Sequence, residues 1–292
     1  MVDSLRDLVA EELSLPVDPR VTAMATAIAA QHGKASRAVL FYGSCLRQKR
    51  LDGLMLDFYL VVSGYAEAYP KRWLAAANRL IPPNVFYFEH GGLVAKYAVL
   101  SEADFDRECG PDARSTSVVA RFAQPSRLVW SANKAAAKRI VDTVGHCAPT
   151  LLGWARSLAP QNAGVEALWK RAFQLTFGAE LRAERTDRSA SIVEADGQRY
   201  RRFGAGALAG LPAERDADAA RWWKRMQRKG KLLSVLRLAK ASATFAGGAD
   251  YIAWKINRHA GTKIELSPWQ RRHPLLAGIT LLPQLLRSGA VR

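Results

Sequence analysis

The stretch AVLFYGS covers residues 38–44, and MLDFYLVV follows at residues 55–62. Both are apolar runs of strand length, and their aromatic and branched residues favour extended backbone. The first run stops at Gly43-Ser44, a pair typical of turns, and a single acid, Asp57, interrupts the second. This pattern predicts two buried strands joined through a tight turn.

The flanking sequence extends this pair into a small α/β unit. Apolar periodicity and breakers predict a helix over 21–33, a helix over 70–80 ended by Pro82-Pro83, and strands over 85–89 and 93–100 around a His90-Gly91-Gly92 turn. From about residue 130 onward the strand pattern gives way to helical stretches over 132–158, 165–185 and 217–241, with a short extended piece expected around Ile192-Val193. The fold class is therefore α+β, with a domain boundary near 130–145.

Charge is distributed unevenly along the 292 residues. The chain has 43 Lys and Arg against 26 Asp and Glu, and +13 of its +17 net charge lies in residues 221–292. Hydrophobic residues make up 49% and charged residues 24%, which excludes a disordered or collagen-like chain. A cationic end on a near-neutral body indicates an anionic partner, either nucleic acid or an anionic lipid surface.

Cysteines and apolar runs predict the compartment. Cys45, Cys109 and Cys147 are widely spaced and form no Cys-x-x-Cys pair, which favours a reducing compartment without structural disulfides. The N-terminus lacks the pattern of a signal or transit peptide, so we expect a cytoplasmic protein that begins here. The longest nearly uncharged apolar run, residues 274–286, has 13 residues, whereas a transmembrane helix needs about 20.

The Gly-Ser turn and the strand aspartate together favour nucleotide chemistry. Gly43 lets a triphosphate approach the backbone, and the Ser44 hydroxyl with nearby N–H groups is suited to phosphate oxygens. Asp57, thirteen residues after Ser44, is suited to Mg²⁺, which neutralises phosphates during in-line displacement. This is the arrangement of polymerase-beta-type nucleotidyltransferases. Ordinary turn chemistry with a structural aspartate is the alternative.

A longer series of motifs makes the match more specific. In order along the chain they are FYGS (41–44), LDF (56–58), KYAVLS (96–101), VARFAQP (119–125), GAELR (178–182) and SIV (191–193). This series resembles the mitochondrial translocator assembly and maintenance type of phosphatidate cytidylyltransferase. The resemblance implies that CTP and phosphatidic acid react with Mg²⁺ at a membrane surface to give CDP-diacylglycerol and pyrophosphate.

The change from strand to helical patterns and the basic C-terminal end predict an order of domains. A polymerase-beta-like nucleotidyltransferase domain is expected over residues 1–140, and a mainly helical domain over 141–245. A basic amphipathic segment that associates with the membrane is expected over 246–292.

Two positions depart from the family pattern. Tyr59 stands where the wider superfamily has a second acid, on the same face of the strand as Asp57, so Glu89 is the best candidate for another metal ligand. Gln124 replaces a basic residue before the family's proline, which removes one candidate phosphate contact.

Three cations complete the candidate nucleotide site. Lys96 lies in an otherwise apolar strand, where an unpaired charge is costly, so it either pairs with an acid such as Glu89 or contacts a phosphate. Arg121 offers a fork of donors suited to phosphate, with a structural salt bridge as the alternative. Arg47, just after the turn, is suited to the CTP phosphates, with a solvated loop as the alternative. The expected catalytic residues are Ser44, Asp57 and Lys96.

The cationic end carries the candidate lipid contacts. Lys255, Arg258 and His259 follow helical spacing and share one face, and Arg271 and Arg272 precede the apolar run at 274–286. A terminal helix packed on the core, with a solvated basic face, is the alternative. We therefore expect a cytidylyltransferase bound peripherally to the inner face of the membrane, with nucleic acid not its expected partner and no oligomeric state implied. The competing hypotheses are a nucleotidyltransferase acting on RNA or another acceptor, and a catalytically degenerate membrane scaffold.

Overall fold

The chain is described by a computed structural model, which covers residues 4–48, 50–179, 188–211, 217–244, 257 and 265–269. None of the helices in this described part is long and apolar enough to cross a lipid bilayer.

Five strands form one mixed sheet. They are β1 (Ser36–Tyr42), β2 (Met55–Val62), β3 (Asn84–His90), β4 (Leu93–Ser101) and β5 (Ser126–Ser131). The sheet order is β3-β4-β2-β1-β5, with β2 and β4 parallel and the other neighbours antiparallel. The parallel strands β2 and β4 pair without a register shift, from Met55 opposite Val94 to Val62 opposite Ser101.

Helices surround the sheet and dominate the second half of the chain. They are α1 (Leu5–Ser14), α2 (Pro19–Gln31), α3 (Ser44–Gln48), α4 (Tyr65–Ala68), α5 (Arg72–Leu80), α6 (Glu102–Cys109), α7 (Thr116–Phe122), α8 (Lys134–Gly145), α9 (Cys147–Arg156), α10 (Val165–Phe177), α11 (Arg188–Glu194), α12 (Gly197–Leu208) and α13 (Ala219–Thr244). The α+β class predicted from the sequence is confirmed.

Three details of the expected secondary structure are wrong. The edge strand β5 was not expected, because its residues alternate poorly and are only half-buried after Ser126. The helical stretch over 132–158 is two helices that meet at His146, which caps both. Ile192 and Val193 lie in α11 rather than in an extended piece, because they are buried in the core of the helical half.

Each face of the sheet packs into its own core. One core joins α2, α4 and α5 to the face that carries Phe41, Phe58 and Tyr97. The other joins α1 and α6–α12 to the opposite face, which carries Tyr42 and Tyr59, and it continues to Trp223 of α13. Tyr42, Asp57 and Tyr59 therefore face the helical half of the molecule.

A buried ion pair ties the first helix to the helical half. Arg199 of α12 is bound by both carboxylate oxygens of Glu12, with one contact from Nη2 at 2.9 Å, and its Nη1 donates to the carbonyl of Ala123 at 3.1 Å. Its guanidinium lies 4.2 Å from the centre of the Phe203 ring. Arg199 thus links α1, α12 and the residues between α7 and β5.

We expect Arg199→Met to lower the free energy of unfolding by about 3–5 kcal/mol, because it leaves the Glu12 carboxylate buried without its charge partner. Urea denaturation followed by circular dichroism measures this loss. Arg201→Met, on the same helix, removes an ion pair with Glu166 whose side chains are 62% and 40% exposed, and should cost about 1 kcal/mol or less. Equal losses for the two variants would contradict a stabilising role specific to Arg199.

The last described helix is anchored at both ends. Near its start, the Trp223 indole N–H donates to the carbonyl of Trp154 at 2.8 Å. Near its end, Arg237 Nε donates to the carbonyl of Pro82 at 2.8 Å, and Lys240 Nζ donates to those of Ile81 and Pro83. Burial, with Arg237 nearby, lowers the pKa of Lys240 to about 7.

Candidate functional site

The turn after β1 and the acid of β2 meet directly. Tyr42 pairs with Asp57 across the two strands, so the next residue, Gly43, lies beside the Asp57 side chain. Gly43 has φ 95°, and a Cβ at this position would lie 2.6 Å from Asp57 Oδ2. Only glycine accommodates both the backbone conformation and the close carboxylate. The turn and the strand acid therefore form one site, as the sequence predicts.

Lys96 is the immediate charge partner of Asp57. The two residues pair in register on the parallel strands β2 and β4, and Lys96 Nζ lies 3.0 Å from Asp57 Oδ1. Their side chains are 29% and 17% exposed, so the pair is largely shielded but open on one side. The sequence left an acid or a phosphate open as the partner of Lys96. The structure shows an acid, and it is Asp57, whereas Glu89 had been suggested.

Ser44 and Arg47 lie on the short helix α3 that follows the turn. Ser44 is its first residue and is half-buried. The Arg47 Nη1 donates to Gln124 Oε1 at 3.3 Å. Gln124 stands where the resembling family has a basic residue. In this protein it contacts Arg47, next to the turn. Arg47 is half-buried on a short helix, and does not lie in the solvated loop that was the alternative.

Arg121 is directed at aromatic side chains on the same face of the sheet. Its Nη1 donates to the Tyr59 hydroxyl at 3.1 Å and to Ser117 Oγ at 3.2 Å, and its guanidinium lies 5.2 Å from the centre of the Tyr42 ring. Tyr59, which stands where the resembling superfamily has a second acid, is thus held by Arg121.

Tyr42 is an uncharged side chain that lies among the charged residues of the site. Burial raises the pKa of Tyr42 well above its usual value, and Asp57 raises it further, whereas Arg121 and Lys96 lower it. Tyr42 therefore stays protonated near neutral pH and does not act as a base. Tyr42 and Ser117 were not predicted from the sequence as residues of this site. Their positions, one residue before Gly43 and one helical turn before Arg121, are the signals that could have identified them.

Glu89 does not lie next to Asp57. It lies near the end of the edge strand β3, opposite Val94, so β4 separates it from β2. Its carboxylate is exposed and accepts a hydrogen bond from the Tyr87 hydroxyl. Among the residues that the structure describes, no group of three or more His, Cys, Asp or Glu side chains is suited to a metal ion.

The remaining predicted contacts fall elsewhere in the chain. The five candidate lipid-binding residues, and the Glu180-Leu181-Arg182 part of the motif series, lie outside the described residues. The lipid-binding candidates are Lys255, Arg258, His259, Arg271 and Arg272.

Comparison with known proteins identified no family and no curated relative. No model of a known protein family matches the sequence, and no curated protein matches it either.

Proposed function

We propose that this protein is a Mg²⁺-dependent CTP:phosphatidate cytidylyltransferase bound peripherally to the inner face of the membrane. The observation that carries the proposal is the Asp57 carboxylate lying against the Gly43 turn, with Lys96 Nζ 3.0 Å from it. The order of sequence motifs supports CTP and phosphatidic acid as substrates. The geometry itself supports the broader class, nucleotidyl transfer, because it combines an open glycine turn, one carboxylate and several cations.

One carboxylate beside an open turn fits a metal that takes most of its ligands from its substrate. Mg²⁺ is often held by one or two carboxylates together with phosphate oxygens and water. Asp57 would hold it here, since no Cβ at Gly43 obstructs the Oδ2 atom. Bound Mg²⁺ supplies charge neutralisation at the phosphates. Glu89, which β4 separates from Asp57, is not part of the proposed metal set.

The acceptor phosphate needs no general base. A phosphate monoester has a second pKa near 6, so phosphatidic acid is largely dianionic at neutral pH. Its oxygen attacks the α-phosphorus of CTP, a new P–O bond forms, and the bond to the β-phosphate breaks to release pyrophosphate. The protein positions the two anions and neutralises their charge. We assign the phosphates to three cations: Lys96 beside Asp57, Arg47 on the helix that follows Gly43, and Arg121 beside Tyr42 and Tyr59.

Pyrophosphate release is the test of this proposal. Purified protein with Mg²⁺ is given each of the four ribonucleoside triphosphates, with and without phosphatidic acid in mixed micelles. Release that requires both CTP and phosphatidic acid is the expected result. Release without lipid would instead indicate another acceptor, and an RNA oligonucleotide is then offered in its place.

A catalytically degenerate scaffold is the second candidate. It is favoured by Tyr59, which stands in place of an acid and is held by Arg121 at 3.1 Å. Detectable Mg²⁺-dependent pyrophosphate release would exclude this candidate, whereas its absence under every condition would support it.

We expect Lys96→Met to lower kcat/KM for CTP by about a hundredfold, because it removes a preorganised cation from the phosphate site. The change also removes the charge partner of Asp57, so thermal unfolding is recorded in parallel. Lys170→Met is the matched control, since it breaks an exposed ion pair with Glu194 on the helical half. An unchanged kcat/KM in Lys96→Met would assign Lys96 a purely structural role.

A further inference from the structure

Exposed apolar side chains are concentrated on two adjoining helices. Among the residues that the structure describes, seven large apolar side chains are exposed, and five of these lie on α5 and α13. The five are Trp73, Leu80, Leu232, Val235 and Leu236. Single exposed apolar residues are ordinary on a protein surface, but a cluster of this kind marks an interaction site.

Helix α13 has one outward face that changes character along its length. Trp223, Met226 and Gly230 are buried at helical spacing and define the inward face. On the opposite face, Lys224 and Arg228 are exposed in the first half, and Leu232 and Val235 are exposed in the second half. The sequence of α13 contains no acid. Its outward face is therefore cationic at one end and apolar at the other.

Helix α5 carries a second group of exposed apolar side chains and ends close to α13. Trp73 and Leu80 are seven residues apart and share a face, which the exposed Arg72 and Arg79 flank. Arg237 and Lys240 bind the carbonyls of residues 81–83, which directly follow α5. The apolar end of α13 therefore adjoins the end of α5. We call these outward-facing residues of α5 and α13 the cationic–apolar face.

We propose that the cationic–apolar face docks onto an anionic lipid bilayer. Apolar side chains with a tryptophan, bordered by Lys and Arg and without acids on α13, are the features of an interfacial element. A second copy would bring two positively charged faces together. A nucleic acid would leave Leu232, Val235 and Leu236 without apolar partners. A bilayer with anionic headgroups satisfies both the charge and the apolar surface.

The proposed membrane contact lies in residues 72–80 and 224–236, separate from the segment at 246–292. It supports the peripheral location in the proposed function but does not depend on catalysis. The test therefore measures binding with vesicles that contain no substrate: phosphatidylcholine alone, and phosphatidylcholine mixed with phosphatidylglycerol. The full chain is sedimented with each kind of vesicle, and the bound fraction gives a partition coefficient.

We expect the wild-type chain to bind only the vesicles that contain phosphatidylglycerol, and more weakly as salt rises. The triple change Leu232→Ser, Val235→Ser and Leu236→Ser should lower the partition coefficient by about a hundredfold, because three apolar side chains no longer enter the interface. Lys224→Glu with Arg228→Glu should lower it by about tenfold or more and reduce the salt dependence.

Matched controls separate this face from general surface effects. Leu15→Ser removes an exposed leucine at the end of α1. Lys134→Glu with Lys138→Glu reverses the charge of two exposed lysines on α8. Both controls should bind like wild type. Wild-type binding by the triple variant would overturn the inference and assign membrane contact to other residues. A wild-type dimer that the triple variant dissociates, without vesicle binding, would identify the face as a self-interface.

Catalysis is measured separately with a water-soluble, short-chain phosphatidic acid. The triple variant should retain wild-type turnover on this substrate if the proposed function is right. Vesicle binding without any turnover would contradict the proposed function and leave the docking surface intact. Turnover without vesicle binding would overturn the docking surface and leave the proposed function intact.

Discussion

Replacing Asp57 with asparagine is expected to reduce pyrophosphate release by about a thousandfold, equivalent to about 4 kcal/mol of lost transition-state stabilisation. Asparagine keeps the size and shape of the side chain beside Gly43 but removes the charge that would hold Mg²⁺. Turnover is measured with CTP and phosphatidic acid at saturating Mg²⁺.

The fold should survive this change. Lys96 loses its charge partner, but its side chain is 29% exposed and can be solvated. Circular dichroism and the thermal midpoint of the variant should therefore stay close to wild type. Asp52→Asn is the control, because Asp52 lies just before the same strand but pairs with Arg20 and is 78% exposed. Full activity in Asp57→Asn would remove Asp57 from the catalytic site.

Gly43→Ala is expected to lower turnover by at least about a hundredfold. A non-glycine residue at φ 95° is strained by about 1–2 kcal/mol, and the new Cβ would lie 2.6 Å from Asp57 Oδ2. The carboxylate must then move away from the turn, and a displacement of about 1 Å is enough to cost a hundredfold in rate. Steady-state kinetics and chemical denaturation of the same preparation measure both effects.

Gly53→Ala separates strain from contact. Gly53 has φ 70°, and a Cβ at this position would meet no atom within 4 Å. The two alanine variants should therefore lose similar backbone stability, while only Gly43→Ala loses activity. Similar activity in both variants would show that the approach of Gly43 to Asp57 is not needed for turnover.

Local patterns were sufficient to predict much of the sheet. The second strand was predicted over 55–62 and is Met55–Val62, because a long apolar run specifies a buried strand without long-range information. The Gly43 and Asp57 positions follow from the same two runs. β5 was missed because an edge strand buries too little of itself to impose a clear pattern.

Partners of the site residues depend on the order of strands in the sheet, which sequence periodicity does not encode. Lys96 meets Asp57 because β4 is inserted between β3 and β2, and this order is a property of the whole fold. Arg121 reaches Tyr59 because α7, which lies between β4 and β5 in the chain, packs into the same core as Tyr59. The chemistry of these residues was predictable, whereas their pairing was not.

The anchors of α13 have a consequence for sequence drift. Arg237 and Lys240 bind main-chain carbonyls of residues 81–83, and carbonyls are present whatever side chains those residues carry. We therefore expect the two basic side chains to be retained in related chains, while the residues that they contact can vary as long as the turn keeps its path. In related chains, the attachment of this helix should be recognised by two basic residues three positions apart, and not by any residue identity in the turn.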